Sequence, residues 1–181
     1  MPFLLLCKIL VSALFTVNFT SFSVMDLNIS SITLTVTNLN DSGEGSLRQA
    51  LADAQKQATD TITVNVVFEP SLAGTITLSN NLTIPANVAV ILPEGVVINH
   101  QGGYDITVYG TLKSECAVEG DAFVSSSSSY YNNACVYVQN GGVVELKNAN
   151  INFSGYGQVY VYSGGSFRMT GGCLKADSNC V

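Results

Sequence analysis

The chain has 181 residues, enough for one domain. It is sparsely charged and acidic, with 7 Lys and Arg against 13 Asp and Glu, and it has 16 glycines, one His and no Trp. Scattered Lys and Arg exclude nucleic acid as a partner, because phosphate contacts need grouped cations, and an apolar share of 47% excludes disorder throughout.

Residues 1–23 are mostly apolar, with Lys8 as their only charge and Ser21-Phe22-Ser23 at cleavage spacing. This reads as a secretory signal peptide. The uncharged run from Ile9 to Phe19 is too short to span a bilayer, so no transmembrane span is expected in the mature chain. Cleavage removes Lys8 and leaves 6 basic against 13 acidic side chains, a net of −7. Residues 24–60 form an N-terminal unit. Ile29, Ile32, Leu34 and Val36 alternate with Ser and Thr, as a strand requires. The turn formers Asn38 to Gly45 follow. Ser46-x-x-Gln49 has the form of a capping box, and Leu47, Ala50, Leu51, Ala54 and Ala58 recur at helical spacing. One amphipathic helix is predicted, from about Leu47 to Lys56.

Residues 61–181 read as short strands separated by glycine corners. The strands fall at Thr61–Phe68, Gly74–Ile84, Val88–Ile98 and Ile106–Leu112. Val136-Tyr137-Val138-Gln139-Asn140-Gly141-Gly142 is then echoed by Val159-Tyr160-Val161-Tyr162-Ser163-Gly164-Gly165, 23 residues on. Glu145-Leu146 and Arg168-Met169 keep that offset, as do Ile151 and Leu174. A strand-and-corner repeat of this length suits one turn of a coiled β-solenoid, whose core closes only when turns stack. From Ile106 to Val136 is 30 residues, longer than one turn, so residues 115–134 are expected to form an insertion loop. Cys116 and Cys135 flank it. Cys116–Cys135 and Cys173–Cys180 each bracket one local excursion and are candidate disulfides for an exported chain, with free thiols as the alternative.

The stretch Asn40-Asp41-Ser42-Gly43-Glu44-Gly45-Ser46-Leu47-Arg48-Gln49-Ala50, followed by Phe68-Glu69-Pro70-Ser71-Leu72-Ala73-Gly74-Thr75-Ile76-Thr77-Leu78, resembles the N-terminal region of secreted right-handed parallel β-helix proteins. These are pectate-lyase-like solenoids, many of them adhesin-like and surface-exposed. Glu69 stands where that group usually has Asp, and Leu51 where it has Ile. The match covers about residues 37–84. The resemblance implies an all-β fold, a right-handed parallel β-helix with one N-terminal capping α-helix, and a secreted or cell-surface location. It supplies no catalytic residues. In such a fold the helix covers an open end whose strand edges would otherwise pair with other chains. Arg48 then either reaches a carboxylate or carbonyl at the turn or is merely solvated. No cap follows Cys173, so the chain is expected to be either a small closed solenoid or part of a longer one.

The chemistry is thin. Asp105, Glu115, Glu119 and Asp121 are the nearest approach to an acidic cluster, and Ca²⁺ is the one ion they suit; the competing reading is a solvated acidic loop. No other cofactor is expected. His100 has no sequence-adjacent nucleophile or carboxylate and is read as a surface residue at a corner. Tyr137 and Tyr160 lie one repeat apart and alternate with valines, so they should stack and face outward. With Tyr130 and Tyr131 in the insertion, they are candidate contacts for sugar rings or a partner protein; a purely structural ladder is the alternative. The expected function is adhesion or binding of a glycan or surface protein without catalysis. A polysaccharide-degrading lyase or hydrolase is the rival.

Overall fold

The computed structural model describes residues 30–101, 103–125, 135–153 and 157–176. The signal-peptide reading of residues 1–23 lies outside this range. The described chain is mostly β, with parallel sheets and one helix. The strands are β1 (Ser31–Val36), β2 (Thr63–Phe68), β3 (Gly74–Thr77), β4 (Leu82–Ile84), β5 (Val88–Leu92), β6 (Val96–Asn99), β7 (Ile106–Val108), β8 (Thr111–Ser125), β9 (Cys135–Val138), β10 (Val143–Phe153), β11 (Gln158–Val161), β12 (Ser166–Thr170) and β13 (Leu174–Ala176). The helix α1 spans Leu47–Gln57.

One sheet of nine strands runs in the order β1-β2-β5-β8-β10-β12, with β3, β6 and β13 joined to its side. A second sheet runs β11-β9-β7-β4. The ladders between named strands are parallel, and each joins residues far apart in sequence: Val64 with Val88, Ala89 with Thr111, Thr111 with Val143, Val143 with Ser166. The expected 23-residue offset appears in the last of these and in Tyr137 with Tyr160.

Strand parity builds the core. Val66, Val90, Leu112 and Val144 lie in one register column and are all buried. Ile84, Val108 and Val138 make a second, and Ile76, Ile98, Phe123 and Ile151 a third. Burying each such side chain contributes about 1.5–3 kcal/mol. In the last layer the columns emerge, with Val161 49% and Leu174 50% exposed.

The helix closes the other end. Leu47, Ala50, Leu51 and Ala54 are its buried face, in contact with β1, β2, β4 and β5. Ser46 caps it, accepting from the Gln49 backbone N–H at 3.2 Å. The capping box is only half made, because the Gln49 side chain donates to Asp53 instead. Arg48 is not merely solvated. It donates to the Asp41 carboxylate at 2.7 Å and to the Asn80 and Asn81 carbonyls at 3.0 and 2.7 Å. Burial raises the Asp41 pKa, but hydrogen bonds from Arg48 and Ser79 outweigh it and hold the carboxyl below its ordinary value.

Residues 115–125, expected within a loop, continue β8 along β10. The extra length is taken up by register shifts: Glu115 pairs with Lys147, and the next pair is Gly120 with Ala149. Residues 126–134 lie outside the described range.

The expected Cys116–Cys135 disulfide is absent. Cys116, Cys135 and Cys173 are free thiols. Parity explains it: Cys116 follows Leu112 and Ser114 onto the buried side of β8, whereas Cys135 shares the outward side of β9 with Tyr137, in the other sheet. A disulfide needs Cβ atoms that point together. Cys173 is likewise unbridged, and Cys180 lies outside the described residues.

Candidate functional site

The outward side of the four-stranded sheet carries an aromatic face. Valine alternation places it: Val136 and Val138 point inward and are buried, so Tyr137 between them points out. β9 pairs with β11, bringing Tyr160 beside Tyr137, and with β7, bringing Thr107 to its other side. The two tyrosine rings stack with centroids 5.4 Å apart and 12° between planes. Tyr162 tilts against Tyr137 at 6.3 Å and 38°. Tyr109, Tyr160 and Tyr162 are each nearly half exposed.

Stacking decides what this face offers. Rings stacked along a ladder hide one flat side from solvent and turn their edges and hydroxyls outward. The far side of Tyr160 is different, because β11 ends its sheet among the described residues. Tyr160 and Tyr162 are therefore where a ring face and polar tips meet, a combination suited to sugars and to proteins alike. A hydrogen bond to Cys135, with burial, holds the Tyr137 phenol above its usual pKa, so this face carries no phenolate. Burial pushes the Cys135 thiol up as well. Tyr130 and Tyr131 lie outside the described residues.

Asp105 anchors the same sheet. Its Oδ1 accepts from the Cys135 backbone N–H at 3.0 Å, and its own N–H donates to Asn81 Oδ1 at 2.9 Å. Burial raises its pKa and the Cys135 bond partly offsets this. The four carboxylates proposed for Ca²⁺ do not converge on one point. Asp105 faces Cys135, Asp121 accepts from Asn152 at 2.5 Å, and Glu115 and Glu119 are exposed on β8. Among the described residues no three His, Cys, Asp or Glu side chains gather as metal ligands would.

His100 corrects the surface reading. It is wholly buried, because it continues the inward parity of Val96 and Ile98 one step past β6. The signal was the alternation, which runs through the corner rather than stopping at it.

One grouping escaped sequence reasoning. A groove of about 320 Å³ on β8, β10 and β12 is lined by Lys113, Glu115, Glu145, Lys147 and Arg168. Lys113 pairs with Glu145 at 2.9 Å, and Arg168 lies next to Glu145 in register. These residues are neighbours only through strand pairing, so no local motif marks them.

No helix among the described residues is long and apolar enough to cross a membrane. No protein-family model matches this chain, and neither does any curated protein.

Proposed function

We propose that this chain is a secreted or cell-surface right-handed parallel β-helix that binds glycans through its tyrosine face, without catalysing their breakdown. The coiled reading is supported by parallel pairing between successive windings in both sheets, by a helix seated on one end, and by the N-terminal wording that resembles secreted β-helix proteins. The observation that carries the binding role is the Tyr137–Tyr160 stack beside half-exposed Tyr109 and Tyr162. A rigid sheet holds these rings in place before any ligand arrives, which lowers the ordering cost of binding.

With no Trp in the chain, intrinsic fluorescence reports on tyrosine alone. Titration with neutral and acidic oligosaccharides should give a saturable change, weakened at least tenfold in Tyr160→Ala and Tyr162→Ala. Binding that ignores both substitutions would remove the tyrosine face from the proposal.

The rival, a polysaccharide lyase or hydrolase, draws on the groove that places Glu115 and Glu145 among Lys113, Lys147 and Arg168. Carboxylates beside cations are what acid–base work on a sugar polymer uses. New reducing ends or unsaturated products that vanish in Glu145→Gln would favour it. Saturable binding without products favours adhesion.

A further inference from the structure

His100 is the chain's single histidine. Its Nδ1 lies 2.8 Å from the Tyr104 carbonyl oxygen. A carbonyl only accepts, so Nδ1 carries the proton and Nε2 is left with a bare lone pair. Nε2 is buried and has no hydrogen-bond partner. The ring stands edge-on to Phe123 and Phe153, with centroids 6.0 and 5.9 Å away. A proton added at Nε2 would bring a donor and a positive charge into this slot with nothing to receive either. Burial pushes the imidazole pKa down to about 4, with the Tyr104 bond offsetting part of the fall.

The surrounding elements offer little charge to rescue an imidazolium. β6 has no ionisable side chain. On β8, Glu119 and Asp121 are exposed, with Asp121 held by Asn152. On β10 the ionisable groups, Glu145 and Lys147, sit in the half paired with Lys113 and Glu115. Asp105, directly after Tyr104, is committed to Cys135.

That last contact links the histidine to the tyrosine face. Besides holding Cys135 at the start of β9, Asp105 accepts from the Leu82 N–H at 2.8 Å at the start of β4. Both strands belong to the four-stranded sheet. We propose that His100 is an acid-sensitive latch on the tyrosine face: protonating Nε2 breaks the His100–Tyr104 contact, releases Asp105, and unseats β9 with its Tyr137–Tyr160 stack. As a control on binding, the latch rests on the function proposed above; as a physical device it is testable with no ligand present.

The sign follows from linkage. The closed form keeps the ring neutral, while the opened form protonates at the ordinary value of 6.5. The opened population is therefore lowest above pH 6.5. It rises up to about tenfold per pH unit on the way down to about 4 and then levels off.

The experiment is a titration of the purified protein from pH 7.5 to 3.5. Proton NMR follows the lone imidazole, and near-ultraviolet circular dichroism follows the stacked tyrosines. The expected result is a ring that stays neutral to about pH 5 and then titrates together with loss of the tyrosine band, while the far-ultraviolet strand signal persists. A ring that titrates near 6.5 with the tyrosine band intact would overturn the latch. So would a band lost with no change at the ring. His100→Gln and His100→Leu should move the loss of the band to lower pH; an unchanged midpoint in a folded variant also overturns it. If neither variant folds, the wild-type titration decides. Glycan binding that fails at pH 7 counts against the proposed function and leaves these readouts untouched.

Discussion

Gly142 sits at the corner between β9 and β10. A Cβ there would lie 2.2 Å from the Val108 carbonyl oxygen and 3.0 Å from that of Gln139. Both obstacles are backbone, so no side-chain rotation relieves them. Ordinary contact begins near 3.4 Å, which requires a retreat of about 1.2 Å. The retreat falls on a corner where Gly142 N–H donates to Gln139 at 2.9 Å and Ser166 N–H donates to Gly142 at 2.9 Å. Losing both bonds costs about 2 kcal/mol, and the overpacking itself about 1–3 kcal/mol. Gly142→Ala is therefore expected to destabilise by about 3–5 kcal/mol. Gly141, its neighbour, has φ +79° and open space around the added Cβ. There only left-handed strain applies, about 1–2 kcal/mol. For a chain of this size 1 kcal/mol is about 2–4 °C in Tm. Thermal melts should then place Gly142→Ala about 6–20 °C below the parent and Gly141→Ala about 2–8 °C below. Gly110→Ala should match Gly142→Ala, since its Cβ would meet Pro85 and Val88 carbonyls at 2.2 Å. Equal losses at 141 and 142, or the reverse order, would refute the close approach of one layer to the next.

Other expectations follow from the same contacts. Leu51→Ala, on the buried face of the capping helix, should cost about 2–5 kcal/mol by urea unfolding, and Leu51→Asp should add concentration-dependent association as the covered end opens. Asp41→Asn should lose about 1.5–3 kcal/mol at neutral pH by removing the charged partner of Arg48. Because the folded Asp41 pKa is depressed, its contribution is present above pH 3.8 and fades as pH falls through the folded value, so parent and variant should converge in acid. Asp105 is the opposite case. Its folded pKa is raised, so its ionisation opposes folding at neutral pH. Asp105→Asn keeps an acceptor for Cys135 and should leave pH 7 stability equal or slightly higher, measured by the same urea titrations. Tyr160→Ala should cost about 0.5–1.5 kcal/mol beyond lost burial, with loss of near-ultraviolet tyrosine ellipticity.

The repeat made the last two windings legible. Val136 and Val159 start identical parities, so Tyr137 and Tyr160 had to meet once the strands paired in parallel. The helix was equally plain, because Leu47, Ala50, Leu51 and Ala54 mark one face whatever the rest of the chain does. Reading failed where parity was not carried through a corner. His100 continues the alternation of Val96 and Ile98, and Cys116 that of Leu112 and Ser114. Glycine and asparagine nearby suggested surface, while two-residue periodicity had already turned both side chains inward. The charged groove was hidden for another reason. Lys113, Glu145 and Arg168 align across windings of unequal length, so a fixed period could not superpose them.

The same unequal windings bear on where recognition sits. A ladder of tyrosines spends ring faces on one another, and each added layer stiffens the sheet without adding a platform. Only where the ladder stops does a face remain. Tyr160 is that stop among the described residues, and Tyr162 leans beside it with its side chain half in solvent. If the tyrosine face binds a sugar ring by its flat side, contact is expected there and not at Tyr137. Tyr137→Phe should then leave glycan affinity unchanged, since the phenol it loses is turned toward Cys135. Tyr160→Phe should keep stacking and lose only a hydroxyl contact, a change of about 0.5–1.5 kcal/mol in binding. Tyr160→Ala should lose the platform altogether. A Tyr137→Phe defect as large as that of Tyr160→Ala would mean that the ladder's edges, and not its end, meet the ligand.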